Sequence, residues 1–255
     1  MYLYRKKMSI KVTIKKKLLF FSLLLGVLGI MVSCVAEGES KSTYRSPAVM
    51  SYNSMVDGLV MATPYGVVAA PSLQDLNDGD CISAFYTINY DSQPSNEYYT
   101  ATDIQYQLLP KRIAIEKSGD MIDEYNDSIM NVQLSMSPYF DGIVFIQTIQ
   151  KGANGQQYKF ELICNPDSID KNGINTVFLK SAKSNENTGG NTTEITTLEA
   201  FDLNPLIWTL GKDTVIQDQK FKILPLNLMY QVGERDSAPI YRQFENKAIE
   251  IIVFR

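Results

Sequence analysis

Cys34 is the residue whose surroundings point most directly to a chemical reaction. It follows the small residue Ser33 and an apolar run of 15 residues, Leu18–Val32. A thiol behind an export segment, with a small side chain before it, is typical of a cysteine that is acylated when a lipoprotein leader is removed. The sequence therefore predicts a lipoprotein signal peptide at residues 1–33 and a lipid-bearing N-terminus at Cys34.

The segment before Cys34 has the composition of an export leader. Seven basic residues and no acidic residue lie in residues 1–33, all of them before the apolar run, and such charge orients a segment for export. The run is too short to cross about 30 Å of hydrocarbon comfortably as a helix. An uncleaved membrane anchor, with Cys34 incidental, is the alternative. Val35, in place of an aspartate after the cysteine, favours the outer membrane.

Other chemistry is limited by the absence of histidine from the chain. Ser-His-Asp and Cys-His catalysis and histidine-containing zinc sites cannot be assembled from this chain alone. No glycine-rich phosphate loop is present, and no spacing singles out one pair of carboxylates for glycoside hydrolysis. The acidic run 75–80 lacks the glycine and glutamate positions of a calcium loop and is better explained as a turn. We therefore predict no catalytic, cofactor-binding or metal-binding residues, and a protein that is not an enzyme.

The charge of the mature chain limits the classes of partner that it can bind. Beyond residue 33, 17 basic residues stand against all 28 acidic residues, a net charge of −11. So acidic a body repels nucleic acid. The expected partners are the membrane, through lipid on Cys34, and an unknown protein or glycan. Aromatic rings at five positions could stack on a ligand, but the favoured interpretation is that they pack on the sheet: Tyr86, Tyr90, Tyr98, Tyr99 and Tyr106.

The two remaining cysteines, Cys81 and Cys164, lie in strand-like stretches about 80 residues apart. If the protein is exported, these two cysteines could form a disulfide. Unpaired cysteines in strands are usually small buried hydrophobic residues, and this interpretation is favoured.

Alternating apolar and polar residues dominate the mature chain and predict many short strands, as in residues 82–90, 130–136 and 158–164. Such a series is typical of barrels and sandwiches. The polar composition of residues 34–54 predicts a flexible tether. Residues 117–127 and 184–197 interrupt the strand pattern as loops, and the first could join two domains.

The chain resembles the NigD-like lipoproteins of certain Gram-negative anaerobes. The resemblance covers most of residues 55–255 and is carried by turns and aromatic strands: Leu76–Asp80, Tyr86–Ile88, Tyr98–Tyr106, Asp127–Ile129, Tyr139–Phe145, Tyr158–Cys164, Thr176–Lys180 and Phe201–Leu203. It implies an all-β fold, with a small OB-like barrel at residues 55–117 followed by an immunoglobulin-like β-sandwich at 118–255. It also implies an immunity-type role and supplies no catalytic residues.

The predicted function is therefore that of a non-catalytic, lipid-anchored binding protein of the outer membrane, facing either the periplasm or the cell surface. The alternative is a structural accessory subunit of a cell-envelope assembly, joined through the apolar strand predicted at 247–254. A carboxylate-dependent glycosidase is the third possibility.

Overall fold

A computed structural model describes residues 40–73, 75–94, 98–118, 125–185, 191–216, 218–236, 238–245 and 247–254. The predicted leader and Cys34 lie outside the described residues. Within these ranges the chain is all-β, as predicted, with a single short α-helix, α1, at Asn204–Leu210. No helix in the described part is long and apolar enough to cross a membrane.

The first five strands form a closed barrel in the order β1-β2-β3-β5-β4. Their bounds are β1 Lys41–Asn53, β2 Gly58–Thr63, β3 Gly66–Ala69, β4 Cys81–Asn89 and β5 Tyr99–Leu109. Four of the five neighbouring pairs are antiparallel, and β3 and β5 run parallel. Because side chains alternate along a strand, every second residue of β1 and β4 points into the barrel, and Met50, Ile82 and Tyr86 there are fully buried.

The prediction of a flexible tether over residues 34–54 is wrong for residues 41–53. These residues form β1, which pairs with β2 on one side and with β4 on the other. The stretch looks polar because its outward positions are mostly polar, whereas Ala48 and Met50 point inward and have no exposed surface. The barrel therefore begins well before residue 55, and removing β1 would open it.

The remaining strands form two sheets that pack face to face as a β-sandwich. One is four-stranded, in the order β6-β12-β9-β8, and the other is seven-stranded, with β15 and β16 both paired to β14 beside the path β13-β14-β11-β10-β7. Their bounds are β6 Lys111–Ile113, β7 Ile115–Glu116, β8 Asn131–Ser135, β9 Ile143–Ala153, β10 Tyr158–Ile169, β11 Asn175–Lys183, β12 Thr192–Asp202, β13 Lys212–Ile216, β14 Gln219–Arg235, β15 Ala238–Gln243 and β16 Ile249–Phe254.

The second predicted loop, 184–197, is also partly wrong. Residues 192–197 begin β12, which pairs antiparallel with β9 along its whole length. Threonine is β-branched and suits an exposed strand position, so the low-complexity stretch around Thr192 is compatible with a strand. Residues 186–190 of the predicted loop lie outside the described ranges.

The chain passes from the barrel to the sandwich at residue 110, earlier than the predicted boundary at 117. Only Pro110 separates β5 from β6. Strand β6 pairs with β12 in one sheet, and β7 pairs with β10 in the other. Residues 111–116 thus belong to the sandwich and tie both of its sheets to the end of the barrel.

An apolar cluster joins the two domains. The outer wall of the barrel contributes Val49, Ala62, Cys81 and Leu109, and the sandwich contributes Phe140, Ile143, Phe145 and Ala200. The rings of Phe140 and Phe145 meet edge to face with their centroids 5.0 Å apart. Lys111 adds a polar contact, donating from Nζ to the carbonyl oxygen of Gly79 at 3.0 Å. The barrel and the sandwich therefore share a buried core rather than only a covalent connection.

The unpaired state of Cys81 and Cys164 is confirmed. Both thiols are free and buried, Cys81 in the cluster between the domains and Cys164 in the core of the sandwich. Burial, the largest cause in each case, raises the pKa of both thiols to about 11.

We expect neither thiol to react with Ellman's reagent in the folded protein at about pH 8, because the thiolate is the reactive form. In denaturant, two thiols should be counted for the three cysteines of the chain, since a lipid-linked Cys34 has no free thiol. A reactive thiol in the folded protein would contradict the burial, and a third thiol in denaturant would contradict the lipidation of Cys34.

Candidate binding surface

Two stacked tyrosines occupy one end of the barrel interior. Tyr44 of β1 and Tyr86 of β4 are partners in the strand register, and their rings are nearly parallel, at 21°, with centroids 5.5 Å apart. Tyr86 is fully buried, and its hydroxyl lies 3.3 Å from Oγ of Ser46. Tyr86 thus forms a floor on which the partly exposed ring of Tyr44 rests.

Three more tyrosines surround this pair at the barrel rim. Tyr65, in the turn between β2 and β3, lies 5.3 Å from Tyr44 between ring centroids. Tyr90 shares a hydroxyl hydrogen bond with Tyr44 and meets Tyr99 edge to face at 5.5 Å. Tyr65 is 55% exposed, and Tyr90 and Tyr99 are each 38% exposed. We call these five residues the tyrosine surface: Tyr44, Tyr65, Tyr86, Tyr90 and Tyr99.

Polar contacts hold the backbone of this rim in place. Tyr90 opens a short 3₁₀ turn, and the side chain of Asn89 caps the turn by accepting from the N–H of Asp91. Oδ2 of Asp91 in turn accepts from the backbone N–H of Ser40 at 2.6 Å. Gln93 accepts from the N–H of Thr100 at 2.6 Å. The rings are therefore mounted on a preorganised backbone, which lowers the entropy lost on binding.

Two of the five tyrosines have a raised pKa, which keeps their hydroxyl groups protonated. Burial raises the pKa of Tyr86, although hydrogen bonds with Ser46 and Thr63 oppose the shift. Burial also raises the pKa of Tyr90, and its hydrogen bond with Tyr44 adds to this effect. Neutral rings with hydroxyl groups can stack and form hydrogen bonds, but they supply no base or nucleophile at neutral pH. The chemistry that this surface offers is binding.

The tyrosine surface lies at the end of the barrel away from the sandwich. In the β1–β4 register, Tyr44 pairs with Tyr86 and Val49 pairs with Cys81. Val49 and Cys81 belong to the cluster between the domains, and five residues of strand span about 16 Å. The tyrosine surface is thus clear of the domain interface and open to a partner.

The sequence identified only part of this surface. Of the five tyrosines it singled out, the structure brings together Tyr86, Tyr90 and Tyr99. Tyr98 lies just before β5, and Tyr106 is seven residues beyond Tyr99 along that strand. Tyr44 was missed because residues 34–54 read as a tether, and Tyr65 because it stands alone in a turn. The alternation of Tyr44, Ser46, Ala48 and Met50 is the signal that could have revealed β1.

The acidic run 75–80 is a turn, as predicted. Its carboxylates accept backbone hydrogen bonds, Asp78 from Tyr52 at 2.9 Å and Asp80 from Asn77 at 2.8 Å. Gly79 has a φ of +81°, which explains why glycine is used there. Among the described residues, no group of three or more acidic or cysteine side chains is arranged to hold a metal ion.

In two of the more buried ion pairs, a carboxylate contacts a basic side chain of the same chain. Glu199 accepts from Nε of Arg112 at 2.7 Å, and Asp213 lies 3.3 Å from Nζ of Lys222. Lys222 also sits over the ring of Trp208, at 5.6 Å from its centroid. These carboxylates act as structural partners of cations, and their contacts give no support to a glycosidase.

Comparison with known proteins finds one family model that matches the barrel. Residues 38–107 match the family model described as lipoprotein OB domain. No protein among the curated sequences matches the chain.

Solved structures show similar folds at low sequence identity. A crystal structure of an uncharacterized protein from Parabacteroides merdae covers 82% of this chain and 97% of its own, with 16% identity and a TM-score of 0.56. A Bacteroides fragilis protein with a provisional lipoprotein name covers 84% and 98%, with 10% identity and a TM-score of 0.51. A NigD-like immunity protein from Bacteroides caccae covers 83% and 96%, with 10% identity and a TM-score of 0.48.

The first two likenesses extend over the barrel and the sandwich together, so the two-domain all-β fold is shared with these two bacterial proteins. Neither the family model nor these two structures names an enzyme family. The match over residues 38–107 to the lipoprotein OB domain model confirms, at this level, the resemblance to NigD-like lipoproteins stated from the sequence.

Proposed function

We propose that the protein is a non-catalytic binding protein of the cell envelope, anchored to the outer membrane by lipid on Cys34, with the tyrosine surface as its binding surface. The observation that carries this proposal is the cluster of five tyrosines at the free end of the barrel, three of them well exposed. Aromatic residues dominate the energetics of binding surfaces because they bury large area at low entropic cost.

Three further observations support a binding role over a catalytic one. The chain has no histidine, the two buried thiols have raised pKa values, and the raised pKa values of Tyr86 and Tyr90 keep their hydroxyl groups protonated. The partner expected from the sequence is a protein or a glycan, and the acidity of the body disfavours nucleic acid. An immunity-type role, implied by the family resemblance, would be one form of such binding.

The experiment that tests this proposal compares two double variants. Tyr65→Ala with Tyr99→Ala removes two exposed rings of the tyrosine surface and leaves Tyr86 in the core. Purified full-length lipoprotein in detergent would be titrated with envelope extract of the producing bacterium, and retained protein and glycan would be quantified. We expect an affinity at least about tenfold weaker, because truncating a central aromatic residue commonly costs 2 kcal/mol or more.

The matched control is Tyr52→Ala with Tyr139→Ala. These rings are 58% and 50% exposed but lie outside the tyrosine surface, so we expect less than about a twofold change in affinity, as is usual for residues outside a hot spot. Equal losses in the two double variants would contradict the assignment of the tyrosine surface.

A structural accessory subunit is the second candidate, and one feature favours it. Strand β16 pairs with β14, and no other described strand pairs with it, so strand addition is open to the part of its outer edge that the 3₁₀ turn Pro138–Phe140 does not cover. Beside this edge the exposed ring of Phe254 packs on Phe221 at 5.0 Å. If Phe254→Lys abolished assembly into a larger complex while the tyrosine variants did not, this candidate would replace the first.

A further inference from the structure

The first described residue of the chain is fixed to the tyrosine surface. Tyr90 donates its backbone N–H to the carbonyl oxygen of Ser40 at 2.8 Å, and Ser40 donates to Asp91 at 2.6 Å. The next residue, Lys41, pairs with Asn89 at the end of β4. The chain therefore enters the barrel at the same end as the five tyrosines, and not at the end that contacts the sandwich.

Covalent geometry limits the distance between this entry point and Cys34. Only six residue steps separate Cys34 from Ser40, and a fully extended chain spans at most about 3.6 Å per residue, or about 22 Å in all. The opposite end of β1, near Tyr52, lies about 26 Å beyond Tyr44 along the strand. A lipid on Cys34 would thus hold the tyrosine surface nearer the membrane than the rest of the barrel.

The side chains at this end suit the interface between lipid and water. Tyrosine is enriched at that interface because its ring is apolar and its hydroxyl is polar. Among the described residues near this end, Lys41 and Arg45 are set against Asp91 and Asp103, and Glu37, Glu39 and Glu97 adjoin them in the sequence. This end therefore shares the acidity of the body, which anionic lipid repels, whereas its aromatic rings fit zwitterionic headgroups.

We propose that the tyrosine surface lies against the headgroup layer of the membrane that holds the anchor, and that this layer is its partner. This proposal rests on the lipid anchor of the proposed function. The short connection to Cys34 raises the effective concentration of the membrane at the tyrosine surface. The sandwich, with strand β16, then faces away from the membrane.

The test places one tryptophan at either end of the barrel. The native Trp208, on helix α1 of the sandwich, is first replaced by phenylalanine. Tyr65→Trp then reports on the tyrosine surface, and Tyr52→Trp, at a position of similar exposure, reports on the far end of the barrel. Each full-length lipoprotein is reconstituted by its own anchor into phosphatidylcholine vesicles that contain headgroup spin-labelled lipid, and quenching of the tryptophan fluorescence is measured.

We expect quenching at position 65 to exceed quenching at position 52 by at least about threefold, because the spin label acts only at short range and the two ends of β1 are about 26 Å apart. Equal quenching at the two positions, or stronger quenching at 52, would overturn the proposal and favour a protein or glycan partner.

A third preparation separates contact from tethering. Twenty glycine and serine residues inserted between residues 39 and 40 release the constraint of the short connection. If quenching at position 65 is still stronger than at position 52 in this variant, the headgroup layer is supported as the partner. If the difference disappears, the short connection alone held the tyrosine surface near the membrane, and the proposal is overturned. Flotation of the vesicles is measured first, because failure to float would disprove the anchor itself and is seen before any quenching is recorded.

Discussion

In cells that make the Cys34→Ser variant, we expect the protein to keep its first 33 residues and to incorporate no fatty acid. The predicted leader is removed only after the Cys34 thiol has been acylated, so a hydroxyl at this position leaves the precursor intact. The wild-type chain should begin at residue 34 and carry radiolabelled palmitate. The two proteins would therefore differ by 33 residues and by complete loss of the label.

The energetic reason for so large an effect is the hydrocarbon of the anchor. Each buried methylene contributes about 0.8 kcal/mol, so two acyl chains hold a soluble domain on a membrane almost irreversibly. Cys81→Ser is the matched control, because Cys81 is buried between the domains and should keep both the label and the processed N-terminus. An identical mass and label for Cys34→Ser and the wild type would instead indicate an uncleaved anchor with an incidental cysteine.

Phe140→Ala should lower the free energy of unfolding by about 3–5 kcal/mol, the usual cost of truncating a fully buried phenylalanine. Phe140 has no exposed surface and belongs to the cluster between the domains, which contains barrel residues as well as Phe145, whose ring it contacts. Removing its ring leaves a cavity that neither domain can close alone. Calorimetry should show a fall of about 10 °C in melting temperature and a barrel transition that separates from that of the sandwich.

Tyr139→Ala is the control for this substitution. Tyr139 is the preceding residue of the same 3₁₀ turn, Pro138–Phe140, but its ring is 50% exposed, so we expect a change within about 0.5 kcal/mol. If Phe140→Ala and Tyr139→Ala had the same melting temperature, the stability of the two domains would not depend on the shared cluster.

The sequence was informative where a strand has one buried face. In residues 82–88 the apolar side chains Ile82, Ala84, Tyr86 and Ile88 alternate with exposed or partly exposed ones, and period-two alternation predicted this strand and several others. The all-β class followed from such patterns, and the order of the two domains was implied by the family resemblance alone.

The sequence misled where strand positions hold small or polar residues. Strand β1 alternates Tyr44, Ser46 and Ala48 inward with polar residues outward, and Ser46 is buried because it contacts the Tyr86 hydroxyl. A buried serine looks like a tether residue until its partner, 40 residues away, is known. Long-range pairing of this kind decides burial, and composition alone does not reveal it.

The binding surface and the domain contact were harder to predict for the same reason. The tyrosine surface draws on β1, the β2–β3 turn, the 3₁₀ turn after β4 and the start of β5, and only the closed barrel brings them together. Val49 and Cys81 point outward from the barrel, where a single domain would place polar residues. Their burial depends on Phe140 and Phe145 in the second domain.

Mass spectrometry of the protein isolated from its own cells tests the lipid anchor directly. The proposed localisation, the orientation of the barrel on the membrane and its access to a partner all depend on this anchor. We expect an N-terminal peptide that begins at Cys34 and carries a diacylglyceryl group on its sulfur. A chain that retains residues 1–33, or one that begins elsewhere with an unmodified thiol at Cys34, would contradict it.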